Sequence, residues 1–414
     1  MGNSIIATRA PGVRVVASAS TWIEGEALRQ LDETGALPGM RETVGMPDLH
    51  PGKNGPVGAA FLSEGLIRPV LVGSDIGCGM ALWQTDLSLR RADAERIAAR
   101  LDGLDAPWDG DVAGWLRERG VSPTAYDASL GTVGHGNHFL EVQAVAEIRD
   151  PGAAARIGLD PARLALLVHT GSRGLGESIL RAHTERHGAS PLRADTPEGD
   201  AYLAAHDAAV AWARANRDLV AHRALTALGA EGRCLLDLCH NGVTPVEAGG
   251  CRCHLHRKGA APADRGPVVV PGSRGDVSVL VEPAPDRADA LWSLAHGAGR
   301  KLGRHEAKAK LKGRLRREDL ARNPFGGVVV CGDERLLWEE AAPAYKPAAS
   351  VVGDLEAAGL VRTVAVLHPL VTFKCSLDPD GPARADKQAR LRERRTARAA
   401  KNARAAKNAR AAKN

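Results

Sequence analysis

The chain has 414 residues, 44% of them hydrophobic and 25% charged, and a formal net charge of +6. No apolar stretch approaches the ~18 residues of a membrane span, and the first residues lack the basic, apolar, small-residue order of a signal peptide, so a helical membrane protein is excluded and a cytoplasmic protein with no membrane association is expected. The charge is unevenly spread: residues 384–414 carry twelve Lys/Arg against two acids, a local +10, which leaves the rest of the chain at −4.

In chain order, apolar runs that read as strands alternate with Ala/Arg/Leu-rich stretches that read as helices. PVLVG (69–73) precedes a helical pattern over 92–104, and LALLV (164–168) precedes a second over 201–228. RCLLDL (233–238) and PVVVP (267–271) follow, then a helical stretch over 286–318, then GVVVC (327–331) and VRTVAVL (361–367). This alternation predicts a mixed α/β (α+β) body. No Pro/Ser linker interrupts it before residue 376, so residues 1–375 are expected to form one large domain.

Residues 376–414 read as a basic low-complexity tail that ends in three copies of ARAAKN. Its basic side chains recur every third position, so on a helix each step turns about 300° and the charge spirals around the axis. Like charges at that spacing repel, which favours a solvated extension with no part in catalysis. The competing expectation is a non-specific polyanion arm.

The seven cysteines, at 78, 234, 239, 251, 253, 331 and 375, are odd in number and follow no export signal. Free thiols in a reducing compartment are expected.

The chemistry gathers at the ends of the apolar runs. PVLVG leads to Asp75 and Cys78, LALLV to His169, and RCLLDLC to His240 and Asn241. A glycine-rich segment, Gly134-His135-Gly136-Asn137-His138-Phe139-Leu140-Glu141, adds an amide, two histidines and an acid. Residues just past strand ends project into ligand crevices, and several imidazoles joined by a thiolate and a carboxylate form the donor set of a metal centre built from distant segments. Thiolate and imidazole suit zinc or copper whereas carboxylate suits harder ions. Asp75, Cys78 and three histidines therefore fit Zn²⁺ or Mn²⁺, singly or as a pair, with a slight lean to zinc. A pair would suit phosphoryl chemistry by clamping attacking and leaving oxygens.

Cys251-Arg-Cys253-His254-Leu-His256 also looks like a metal knuckle. Its Cys-x-Cys spacing is tighter than the usual structural zinc pattern and no second pair follows at a fitting distance, so a strand is expected there. His296 sits in DALWSLAHGAGRKLG, where Asp289 through Leu294 reads helically and the glycines leave room for a ligand. Neutral imidazole is a competent nucleophile, and Arg300 stands one turn on. Gly297-x-Gly299 is a weak dinucleotide pattern, and no Gly-x-x-x-x-Gly-Lys-Ser/Thr loop occurs.

Nine motifs in order complete the pattern: MPDLHPGKNGPVG (46–58), GSDIGCG (73–79), GTVGHGNHFLEV (131–142), HTGSRGLG (169–176), CHNG (239–242), HRKGA (256–260), PGSRG (271–275), AHGAGR (295–300) and AYK (344–346). Together, over about residues 40–375, they resemble the RtcB family of RNA ligases. The resemblance implies a distinctive α/β fold around a central metal and nucleotide cleft, two Mn²⁺ ions and GTP as energy source; a monomer is expected. The RNA partner would carry a 3'-phosphate or 2',3'-cyclic phosphate end to be joined to a 5'-hydroxyl end, in RNA repair or tRNA splicing.

Carried over by position, the resemblance makes Asp75, Cys78, His138, His169 and His240 the metal ligands, with Cys78 bridging. His296 would be the guanylylated nucleophile, and Asp48 would stand near the attacking end. The guanylate site would comprise Asn137, His138, Phe139, Leu140, Glu141, His240, Asn241, Pro271, Gly272, Ser273, Arg274, Ser278, His296, Gly297, Ala298, Gly299 and Lys374. The family's manganese overrides the lean to zinc. Arg274 departs from a common methionine, His135 from a smaller residue, and Cys-Ser-Leu after Lys374 from an earlier stop. The alternatives are a dinuclear metallophosphoesterase that acts on RNA ends without GTP, and a non-catalytic RNA-binding protein working through its tail.

Overall fold

The structure, a computed structural model, describes residues 5–376, so the basic tail expected over 376–414 lies outside the described residues beyond Ser376. Two sheets carry the architecture. The larger has eight strands, in the order Gly232–Cys239, Gly79–Ser88, Arg163–Thr170, Phe139–Ile148, Val361–Phe373, Ser278–Pro283 and Val268–Pro271, with Val328–Val330 pairing parallel to Val361–Phe373. The smaller has six, in the order Ile6–Ala10, Val13–Val16, Met40–His50, Val57–Glu64, Cys251–Lys258 and Asn241–Ala248. The chain crosses from one sheet to the other at His240, between the strands Gly232–Cys239 and Asn241–Ala248. The α/β expectation holds.

Strand alternation sorts the larger sheet's side chains onto two faces. Leu140, Val142, Leu164, Leu166, Val168, Val371 and Phe373 pack with the helices Ala94–Leu101 and Pro197–Leu228. Met80, Leu82, Ala165, Leu167, Leu280 and Leu367 face the other way, towards Ala153 and Ala154 of the helix Pro151–Ile157. A third cluster joins the two sheets, with Val44, Met46 and Leu255 of the smaller against Val270, Val279 and Val281 of the larger. The 32-residue helix Pro197–Leu228 starts where Thr196 accepts the Gly199 N–H and Pro197 fills the first helical position. It stops at Gly229 in the left-handed conformation. No helix among the described residues is long and apolar enough to cross a membrane.

Phe373 is fully buried and plugs the sheet face directly before Lys374. Phe373→Ala is expected to lower stability by about 3–5 kcal/mol through lost burial and a residual cavity. Chemical denaturation checks this, and a loss below about 1 kcal/mol would contradict the packing described.

Two sequence expectations need correction. PVLVG is a short helix, Pro69–Val72, not a strand: Pro69 has no N–H for a ladder, and its carbonyl accepts from Gly73 N instead. The stretch 286–318 is not one helix. Leu291 and Trp292 take positive φ of 50° and 45°, and Ser293–Ala295 then pairs antiparallel with Ala260–Pro262. Helix resumes only over Arg304–Leu311 and Arg317–Leu320. Ala290, Leu291, Leu294 and Ala295 are all buried between the sheets, so their apolar spacing reflects burial on every side and not one helical face. His296 therefore follows a strand. That strand's partner is antiparallel, so the following glycines do not belong to a βαβ dinucleotide unit.

Candidate active site

Four neighbouring strands of the larger sheet deliver one candidate ligand each to the same edge. Cys78 precedes Gly79–Ser88, His169 lies near the end of Arg163–Thr170, His240 follows Gly232–Cys239, and His138 precedes Phe139–Ile148. Antiparallel register makes this possible, because strand starts and strand ends alternate along one edge. Gly79 pairs with both Cys239 and Thr170, and Phe139 pairs with His169. Asp75 arrives from the loop after Pro69–Val72, where Gly171 leaves room: a Cβ there would stand 2.2 Å from Asp75 Oδ1.

The five residues converge. Cys78 Sγ lies 3.2 Å from His169 Nε2 and 3.4 Å from His138 Nε2, which is itself 2.7 Å from Asp75 Oδ2. The His169 and His240 rings are 5.2 Å apart. Two groups with metal-ligand spacing emerge, Cys78–His169–His240 and Asp75–Cys78–His138, and they share the thiol. Burial pushes the Cys78 thiol well up, reinforced by the Asp75 carboxylate. Burial and neighbouring imidazoles push His169 and His240 well down, so both favour the neutral form that can ligate. A largely buried cluster of imidazoles and a thiol with one carboxylate fits a divalent cation, whose charge would also release the thiol proton.

Arg173, at a positive φ of 55°, reaches the cluster with Nη1 3.2 Å from His138 Nδ1. Strained backbone of that kind gathers at functional sites. Gly134 makes space for its guanidinium.

His296 stands beside this cluster, its ring 4.8 Å from that of His240. Its Nδ1 lies 2.7 Å from Oδ2 of Asp48, and its backbone N–H donates to the same oxygen over 3.3 Å. Asp48 is fully buried. Lys346 Nζ donates to the carbonyls of Pro47 and Leu49, at 2.8 and 3.1 Å, and so fixes the chain on both sides of Asp48. Gly299, at φ 71°, lets the loop cross Asp48, because a Cβ would meet its carbonyl oxygen at 2.2 Å. The Asp48 carboxylate is placed to accept an Nδ1–H, the arrangement that would leave the Nε2 lone pair for chemistry. Asp48 thus contacts the imidazole itself.

A cleft opens next to His296, lined by Asn137, Phe139, Glu141, Pro271 to Arg274, His296 to Arg300, Arg304, Glu340, Tyr345, Thr372 and Lys374 among others. At one wall Glu141 accepts from Thr372 Oγ1 and Gln143 Nε2, both at 2.6 Å, and burial pushes its carboxyl up to about 7. Lys374 Nζ lies 3.8 Å from Glu340, which also accepts from Arg300 and Tyr345.

Some expected guanylate-site residues lie elsewhere. Leu140 points into the core on the opposite face of its strand. Ser278 sits behind the wall, accepting from Gln143 at 2.9 Å. Asn241 ties two loops, donating to the Asp75 carbonyl and accepting from Gly259 N. Arg274, by contrast, does line the cleft, and its guanidinium donates to the Leu337 carbonyl at 2.6 Å.

Sequence reasoning passed over His50, stacked 6.5 Å from His296, and Glu340, Thr372 and Arg304 in the cleft. His50 had a signal, since it stands two residues after Asp48 in the first quoted motif. Glu340 had none. The Cys251–His256 stretch is the strand Cys251–Lys258, as expected, and it contributes to neither donor group.

The family model for tRNA-splicing ligase RtcB matches residues 30–107 and 115–375. Curated relatives agree. The chain is 49% identical over 373 residues to the RNA-splicing ligase RtcB2 of Escherichia coli, which covers 88% of this chain and 96% of that one. It is 32% identical over 434 residues to the RNA-splicing ligase RtcB of Mycobacterium bovis (83% and 100%), and 30% identical over 465 residues to the tRNA-splicing ligase RtcB of Archaeoglobus fulgidus (88% and 95%).

Proposed function

Because the chain belongs to the RtcB family and is an RNA ligase, we propose that it joins RNA 3'-phosphate or 2',3'-cyclic phosphate ends to 5'-hydroxyl ends at the expense of GTP. The setting is RNA repair or tRNA splicing in the cytoplasm. The reading is carried by one observation: an imidazole held by a buried carboxylate stands between a five-residue donor cluster and a cleft lined by Glu141, Thr372 and Lys374.

In this reading Asp75, Cys78, His138, His169 and His240 would hold two Mn²⁺ ions, and Cys78 is the donor common to the two groups. When bound, the ions supply Lewis acidity and offset the charge gathered between phosphates. His296 attacks the α-phosphorus of GTP through Nε2, forming a phosphoramidate and expelling pyrophosphate, while Asp48 holds Nδ1–H and stabilises the cationic ring. The RNA 3'-phosphate takes the GMP, freeing Nε2, and the 5'-hydroxyl oxygen then attacks the activated end and expels GMP. A cyclic phosphate end is first hydrolysed to the 3'-phosphate.

The cleft wall supports guanine. Lys374 offers a donor for its carbonyl oxygen, and Glu141 with Thr372 offers acceptors for its N–H groups. The expected result is that α-labelled GTP with Mn²⁺ leaves base-stable, acid-labile label on the protein, and that chelation prevents it. RNA-end hydrolysis without GTP and without label would instead support the metallophosphoesterase.

A further inference from the structure

Outside the residues already discussed, the most heavily bonded buried charge near the site is Arg217. It projects from the middle of the helix Pro197–Leu228 and is fully buried. Its Nη1 donates to the Gly77 carbonyl at 2.7 Å and to the Thr170 carbonyl at 2.9 Å. Nη2 donates to Cys239 Sγ at 3.2 Å, and Nε to Asp237 Oδ1 at 2.7 Å. Gly77, Thr170 and Cys239 are the immediate chain neighbours of Cys78, His169 and His240, which form one of the two donor groups. One planar guanidinium therefore touches three separate segments, each one residue from a candidate ligand.

A buried cation is costly unless its partners are well placed, and an apolar residue of similar volume is often at least as stable. Among the described residues the carboxylate it bonds is Asp237, whose side chain is 23% exposed. The rest of the fork is spent on two carbonyls and a thiol. Backbone pairing already holds the strands in register, through Gly79–Thr170 and Gly79–Cys239. What the ladder does not fix is the chain just past the strand ends, where Cys78 and His240 lie. The fork geometry reaches that point, and a lysine's single ammonium could not span it.

We propose that Arg217 is a positioning residue for the metal centre: it fixes the spacing of Cys78, His169 and His240 through the chain neighbours Gly77, Thr170 and Cys239. The inference rests on the ligand assignment above. Partners of this kind, one step behind the ligands, typically contribute 10–100-fold in metal affinity.

The test is Mn²⁺ affinity by calorimetry, with the Co²⁺-loaded absorption spectrum, on purified full-length wild type, Arg217→Met, Arg217→Lys and Asp237→Asn. The expected results are about 10–100-fold weaker binding in Arg217→Met, a smaller loss in Arg217→Lys, and an altered thiolate-to-cobalt band in both. If Arg217→Met does not fold, Arg217→Lys and Asp237→Asn carry the same measurement. A merely structural arginine would lower the melting temperature and leave affinity and spectrum at wild-type values, which would overturn the proposal. Tighter binding in Arg217→Met would overturn it too, by showing that the guanidinium acts mainly as a repelling charge. Should the wild type itself bind neither ion, the ligand assignment fails first, and the role of Arg217 falls with it.

Discussion

His296→Ala is expected to abolish both ligation and capture of labelled GMP, a loss of about 10⁴-fold or more, as when a covalent nucleophile is removed. The size follows from the chemistry: without the Nε2 lone pair there is no atom to hold GMP between GTP and RNA, and no neighbour can substitute. His240, 4.8 Å away ring to ring, belongs to the donor cluster, and His50 is turned so that its Nδ1 faces the Asp48 carbonyl. Asp48→Asn tests the orientation separately. An amide can no longer accept from Nδ1 as a charged group or balance the cationic ring. Where a carboxylate orients a catalytic imidazole elsewhere, the same change costs about 10⁴ in turnover, and a loss of at least about 100-fold is expected here. Metal content should stay at the wild-type level in both variants. Should His296→Ala retain RNA-end chemistry near wild type, the metallophosphoesterase reading would replace the ligase mechanism.

How much of this was written in one dimension depends on the kind of signal. The donor set was legible because each member sits in a short glycine-bearing segment at the end of an apolar run, and antiparallel pairing brings such ends to one edge. The Asp48–His296 contact was only half legible. Both residues lie in quoted motifs, yet they are 248 positions apart and nothing local says that the acid faces the imidazole. The helical reading of 286–318 failed because burial on all sides mimics a helical stripe, and the two residues that break it, Leu291 and Trp292, are not ones that advertise positive φ. Arg217 was invisible. It lies in an alanine-rich helix among other charged residues, and only the packing shows which arginine turns inward.

Cys78→Ala should remove both metal ions, whereas loss of a residue confined to one donor group should remove one first. The asymmetry comes from the geometry. Cys78 belongs to both candidate groups, Asp75 and His138 to one, and His240 to the other. Deleting the thiol leaves His169 and His240 on one side and Asp75 and His138 on the other, and two donors hold a divalent ion far less well than three. Affinity is expected to fall by more than the 10–100-fold that a partner behind the ligands contributes, with ligation falling below detection. Asp75→Ala, by contrast, leaves the Cys78–His169–His240 group intact and should retain about one ion per chain. The apo proteins should differ little in stability, because a buried thiol behaves as a small hydrophobe and alanine nearly fills its place. Equilibrium dialysis with metal analysis gives the stoichiometry, and denaturation of the apo forms gives the stability. Two ions bound to folded Cys78→Ala would show that the thiol is not shared, and the one-centre, two-ion arrangement would have to be abandoned.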